Sequence, residues 1–203
     1  MTSLSVHKIY PRRIAMVKNT YNFGEEDALL IIDVQKDFCK GGALAVPEAE
    51  EIIPVINELI REAEKKEIRI YASRDWHPLE HISFQERDGQ WPPHCIQDTE
   101  GAEFHPDLNL PENTIVVTKG VRFDQDQSSA FDKTGLAYQM NQEGIRCIWM
   151  GGLALDVCVL QSVTDALKAG FQVKLIKAAT RPVDPDKGRQ AIEDMAKAGA
   201  QII

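Results

Sequence analysis

A repeated exchange of short β-branched runs with amphipathic helical stretches constrains this chain more than any other feature. Ala28 to Val34 reads ALLIIDV, a continuous apolar run of the kind required of a strand covered on both faces. Ile68 to Ser73, Thr114 to Thr118, Cys147 to Gly151, Phe171 to Lys177 and Gln201 to Ile203 repeat that character. Between them, Glu50 to Lys66 carries Ile52, Ile56, Leu59 and Ala63 at helical spacing, with Pro54 near the first turns, where a missing N–H is tolerated. Val157 to Lys168 and Pro185 to Ala198 also read as helices, stopped by Gly170 and Gly199. Strand, helix, strand in repetition implies parallel pairing through right-handed crossovers. About six strands then form an open, doubly wound α/β sheet with helices on both faces.

No internal repeat or Gly/Ser linker divides the 203 residues, a length that suits one domain. We expect a domain over 25–203 preceded by an arm over 1–24. The arm holds Lys8, Arg12, Arg13 and Lys18 and no acid, a balance shared with organelle transit peptides; the simpler expectation is a segment packed on the domain or on a neighbouring subunit. A formal charge of −8 repels phosphate backbones and anionic lipid, and no apolar run approaches the roughly 18 residues of a membrane span. Neither nucleic acid nor membrane is an expected partner; a small-molecule substrate is, with a homo-oligomer left open. Cys39, Cys95, Cys147 and Cys158 form no CxxC pair and no secretory signal pattern precedes them, so a reducing, cytoplasmic compartment is expected.

In open parallel sheets ligands bind beyond the carboxyl ends of the strands, near the point where strand order reverses. Asp33 closes the first run, Asp75 and His77 follow the second, Lys119 the third, and Cys158 the fourth after Gly151-Gly152. An aspartate in an apolar strand is costly without a partner, although capping a turn would also account for Asp33. Lys119 alone would be an ordinary solvated lysine. With Asp156 as N-cap, Cys158 falls in the first turn of a helix, where free N–H groups and the helix dipole lower a thiol pKa. The other three cysteines are read as small hydrophobes.

A second constellation is Asp75-Trp76-His77, with His94 in WPPHC. Residues two apart in an extended segment face the same side, so Asp75 and His77 can share a ligand sphere that His94 completes. Oxygen and imidazole without thiolate suits zinc, manganese or iron, with zinc taken first. The alternative is a surface loop whose histidines are held by hydrogen bonds.

DVQKDF (Asp33 to Phe38), SRDWHP (Ser73 to Pro78), WPPHC (Trp91 to Cys95), TKG (Thr118 to Gly120) and GGLALDVCV (Gly151 to Val159) occur in that order. Together they resemble the nicotinamidase/pyrazinamidase branch of the isochorismatase-like cysteine hydrolases, from about Ala28 to the C-terminus. The resemblance implies strand order 3-2-1-4-5-6, a triad of Asp33, Lys119 and Cys158, and one divalent metal ion on Asp75, His77 and His94. His81 and Glu86 stand where some relatives add a ligand or hold a metal-bound water. It further implies an oxyanion hole from the amides of Ala154 and Cys158, a cis peptide at Leu153-Ala154, and a substrate site including Phe38, Trp91 and Leu153. The implied reaction is hydrolysis of nicotinamide to nicotinate and ammonia through a thioester, a step of pyridine-nucleotide salvage.

Leu155 stands where many relatives carry Thr, Val157 where Tyr or His is common, and Phe123 to Phe131 (FDQDQSSAF) forms a polar lid-like stretch. These departures leave open another small amide or carbamoyl compound as substrate. A binding or redox module built on Cys158 is the non-enzymatic alternative, which has no use for Asp33 and Lys119. A dinucleotide-binding domain is disfavoured because Gly151-Gly152-Leu153 does not extend to G-x-G-x-x-G.

Overall fold

The computed structural model describes residues 21–203; most of the 1–24 arm lies outside the described residues. Six strands form one all-parallel sheet in the order β3-β2-β1-β4-β5-β6. They are β1 (Asp27–Ile32), β2 (Arg69–Asp75), β3 (Ile115–Lys119), β4 (Cys147–Leu153), β5 (Gln172–Arg181) and β6 (Gln201–Ile202). Strand order reverses between β1 and β4, which lie side by side with Asp27 opposite Cys147.

Every residue of β1 is buried, as its unbroken apolar run requires. Leu29 and Ile31 face one core, shared with Ile53, Ile56, Leu59, Ile60 and Ala63 of α1 (Ile53–Lys65). Ala28, Leu30 and Ile32 face the other, packed with Val163 and Ala166 of α3 (Leu160–Lys168) and Ala191 and Met195 of α4 (Pro185–Ala198). Two-sided burial follows from a period-2 backbone between two period-3.6 stripes, and each large aliphatic side chain contributes about 1.5–3 kcal/mol. Asp184 caps α4, accepting from the N–H groups of Asp186 and Lys187, with Pro185 in the first turn. Among the described residues, no helix is long and apolar enough to cross a membrane.

Several boundaries differ from the sequence reading. β1 ends at Ile32 because Asp33 takes a left-handed φ of 47°. The helix expected from Glu50 begins as a 3-10 turn (Ala49–Ile52), and α1 proper starts at Ile53. β4 runs on to Leu153 and β5 to Arg181, the two pairing again beyond a register shift between Met150 and Gly152. A short helix, α2 (Leu136–Gln142), lies where the sequence pattern shows no helical stripe. The helix expected from Val157 opens earlier, as one π-helical turn over Leu155–Val159 that leads into α3. Asp156 therefore lies inside that turn and does not cap it; its carboxylate instead accepts from the N–H groups of Val183 and Asp184 at 2.8 and 3.0 Å.

Candidate active site

The carboxyl ends of β1, β2, β3 and β4 bring Asp33, Asp75, Lys119 and Cys158 together. Asp33 and Lys119 are fully buried, and Cys158 nearly so. Lys119 Nζ lies 2.9 Å from Asp33 Oδ2 and 2.6 Å from Asp75 Oδ1, and donates toward Cys158 Sγ at 3.6 Å. Ser73 Oγ donates to Asp33 Oδ1 at 2.7 Å, whereas Oδ2 has the ammonium beside it without an aligned hydrogen bond. That buried oxygen is an acceptor without a hydrogen-bond donor, and donor atoms of Asp33, Asp75 and Cys158 all lie within 4.8 Å of one another.

Burial by itself would discharge Lys119, but the carboxylates of Asp33 and Asp75 outweigh it and hold the ammonium well above its usual range. Burial raises Asp33, with Lys119 opposing. Cys158 is corrected from the sequence reading: burial drives its thiol well above the ordinary value, Asp33 and Asp75 add to the rise, and Lys119 only partly offsets them. The first-turn position does not generate a resting thiolate, because desolvation of a buried sulfur exceeds what a helix terminus contributes.

Next to this group, donor atoms of Asp75, His77 and His94 lie within 4.8 Å of one another, all three residues buried. His77 Nδ1 faces the carbonyl of His94 at 3.1 Å and His94 Nδ1 that of Pro92 at 2.8 Å. A carbonyl can only accept, so each Nδ1 carries hydrogen and each Nε2 is left with its lone pair, the tautomer a metal ion requires. Burial, with His94 and His81 adding, pushes the His77 imidazole down to about 2, so it is neutral. The donor set therefore fits a divalent ion of the zinc type. Gly120, at φ 67°, sits where a Cβ would meet His77 Nε2 at 2.6 Å.

These groups line a cavity of about 40 Å³, together with Phe38, Trp91, Leu44, Val46, Ala154 and Val157. Asp126, Gln127 and Ser128 of the polar stretch close part of it. The Leu153-Ala154 peptide is cis. Leu153 packs fully buried in the core and is absent from the cavity lining. His81 has Nδ1 on Ser83 Oγ at 2.7 Å and Nε2 on the Gln125 carbonyl at 3.0 Å, so neither nitrogen is open to an ion. Glu86 is exposed on the 3-10 turn Gln85–Arg87 and does not line the cavity.

Sequence reasoning passed over Gln35 and Ser73. Gln35 is fully buried, accepts from the Asp75 N–H at 2.7 Å, and donates to the carbonyls of Asp75 and Ala102 at 2.8 and 2.9 Å. Its place two residues after Asp33 was the available signal, since a polar side chain pointing back at a strand end has backbone groups to satisfy.

Strand order and the position of these groups define an open, doubly wound α/β protein with a cavity at the switch point, where proteins of this class bind their ligands. Residues 27–203 match the Isochorismatase domain, and the chain belongs to that family. It is 37% identical over 198 residues to the nicotinamidase of Escherichia coli K12, covering 86% of this chain and 93% of that one. Among solved structures, the pyrazinamidase of Pyrococcus horikoshii in complex with zinc is 43% identical with a TM-score of 0.85, covering 88% of this chain and 98% of that one. PnC1 of L. infantum in complex with nicotinate is 34% identical with a TM-score of 0.81, covering 87% and 91%.

Proposed function

We infer that this chain hydrolyses nicotinamide to nicotinate and ammonia, with Cys158 as nucleophile. The observation that carries this reading is Lys119, whose ammonium touches both carboxylates and reaches toward the sulfur in the wall of the cavity. The relatives' names and the nicotinate complex supply the substrate.

Because the resting sulfur is a thiol, Asp33 Oδ2 would remove its proton as Sγ attacks the amide carbon. Lys119 would stabilise the anionic charge that the Asp33 and Cys158 pair carries throughout. The amide N–H groups of Ala154 and Cys158 would receive the developing oxyanion. Asp33 would return its proton to the departing nitrogen as the C–N bond breaks, giving ammonia and a thioester. It would then take a proton from water as that water adds to the thioester; the C–S bond breaks, nicotinate leaves and the sulfur is reprotonated.

Asp75, His77 and His94 would hold the divalent ion, which when bound offers a Lewis-acid contact for the pyridine nitrogen and so fixes the ring's orientation. Phe38 and Trp91 would bracket the ring by stacking, a modest contribution of about 0.5–1.5 kcal/mol. Four buried free cysteines suit a reducing, cytoplasmic setting.

Ammonia release from a small panel of amides, with and without chelator, tests the reading. Nicotinamide should be the best substrate, and Cys158→Ala should abolish its turnover. Full activity in Cys158→Ala, or a non-pyridine amide turned over faster, would overturn it.

A further inference from the structure

Away from the cavity, a second group of ligand-type side chains converges. Cys39, Glu50 and His105 each present one donor atom, and the three atoms lie within 4.8 Å of one another. They come from separate segments: the residue that ends the 3-10 turn Lys36–Phe38, the turn Ala49–Ile52, and the loop after Phe104. Cys39 is 2% exposed, and Glu50 and His105 are half-buried. Cys39 and His105 also border a surface cleft of about 450 Å³ with Gly41 and Gly42, which gives a hydrated ion a way in.

We propose that Cys39, Glu50 and His105 form a second divalent-metal site, one that takes a thiophilic ion of the zinc type. Sulfur, carboxylate oxygen and imidazole are the donors zinc accepts in tetrahedral sites, with water as the fourth. Thiolate and carboxylate together neutralise a dication. The Asp75, His77 and His94 group has no thiolate, so the two sites differ in the softness of the ion they select.

The surroundings fit. The Lys40 N–H donates to Glu50 Oε1 at 2.5 Å, orienting the carboxylate, and that bond lowers Glu50 so that it is ionised. Lys36, which borders the same cleft, is neutralised by Glu100 and Glu103 at 3.0 and 2.8 Å. Burial, with Glu50 adding, pushes the Cys39 thiol up to about 12, so the sulfur is protonated until a cation arrives. Binding then releases that proton to solvent as the metal–sulfur bond forms. The Asp107 N–H donates to His105 Nδ1 at 3.2 Å, a long bond that would yield as the imidazole turns to the ion.

The site would act as a staple. The Val46 N–H donates to the Phe38 carbonyl and the Leu44 N–H to the Asp37 carbonyl, each at 2.9 Å. Phe38, Leu44 and Val46 are cavity wall, so an ion at Cys39 fastens the segment that shapes the substrate cavity.

The full chain, stripped of metal and titrated with Co²⁺, should take up two equivalents per chain. One should develop thiolate-to-cobalt charge-transfer absorption and release about one proton. Cys39→Ser should remove that absorption and one equivalent, and His105→Ala should weaken the same equivalent at least tenfold. His77→Ala with His94→Ala should leave the absorption in place. Zinc loading should also slow alkylation of Cys39 in the unsubstituted chain, mapped by peptide mass, a readout that does not depend on any variant folding. A single equivalent without thiolate absorption, absorption that survives Cys39→Ser, or Cys39 alkylation indifferent to zinc would overturn the proposal.

Discussion

Lys119 Nζ donates to Asp75 Oδ1 at 2.6 Å, and that same carboxylate is one corner of the Asp75, His77 and His94 group. One side chain thus couples the charges around Cys158 to the ion site. The two ligand types are therefore not equivalent under mutation. Asp75→Asn and His94→Ala should both lower bound metal, measured after equilibrium dialysis. Only Asp75→Asn also removes a charge that raises the Cys158 thiol. In metal-free protein its alkylation at Cys158 should therefore begin at lower pH than in the metal-free parent, while His94→Ala leaves that profile in place. Identical profiles in both variants would refute the coupling.

Lys119→Met leaves Asp33 and Asp75 facing each other in a buried site with their shared counter-charge gone. Loss of one partner from a buried ion pair costs about 3–5 kcal/mol. Turnover of nicotinamide should fall by roughly 10²–10³-fold, the usual weight of one preorganised charge-stabilising group. Denaturant melts and ammonia assays report the two effects separately, and a variant with parental turnover would exclude Lys119 from the chemistry.

The pH profile follows from the signs of the shifts. Asp33 must be ionised to accept the thiol proton, and burial raises it, so activity should fall on the acid side at a pH above the ordinary carboxylate value of about 4. Lys119 is held well above its usual range and so stays charged across the neutral and mildly alkaline span. Cys158 is also raised, so no thiolate absorbance should be seen at neutral pH in the substrate-free protein. Steady-state kinetics and ultraviolet titration measure these, and a Cys158 that ionises below pH 8.5, its ordinary value of about that size, would contradict the proton transfer to Asp33.

Legibility in the sequence tracked how each residue is constrained. β1 and β4 were readable because strands covered on both faces must be apolar throughout, and α4 because Pro185 and Gly199 bound its helical stretch. α2 was not, since its seven residues carry too short a stripe, with only Leu136 and Met140 buried. Asp33, Asp75, Lys119 and Cys158 could be singled out because reactive side chains at strand ends are unusual. The raised Cys158 thiol could not, because the same local pattern lowers a thiol in an open site and fails to do so in a sealed one. Asp156 looked like a cap because a π-turn and an α-turn share the same opening residues; only the position of the Val183 and Asp184 amides decides between them.

Gln35 touches none of the reacting groups; it holds the peptide N–H and C=O of Asp75 and so acts as a positioning residue. Gln35→Leu should weaken metal binding by about 10–100-fold, the range for groups that orient ligands. It should leave the acid limb of the pH profile unmoved, because Asp33 and Lys119 are untouched. A competition titration against a chromophoric chelator measures the affinity. Unchanged affinity would show that the strand alone fixes Asp75.

Gly120 follows Lys119 directly and tests whether the backbone there is shaped for the ion site. Its φ of 67° costs a residue with a side chain about 1–2 kcal/mol, and the added Cβ would press on His77 Nε2 and Cδ2, both at 2.6 Å. Gly170 provides the control: φ is 91°, yet nothing lies within 4 Å of the Cβ position. Gly120→Ala and Gly170→Ala should both lower the melting temperature through backbone strain, but only Gly120→Ala should lose bound metal, since it alone displaces a ligand nitrogen. If Gly120→Ala keeps the parental metal content, then His77 has room to move and the close approach at Gly120 is not what sets the ligand geometry.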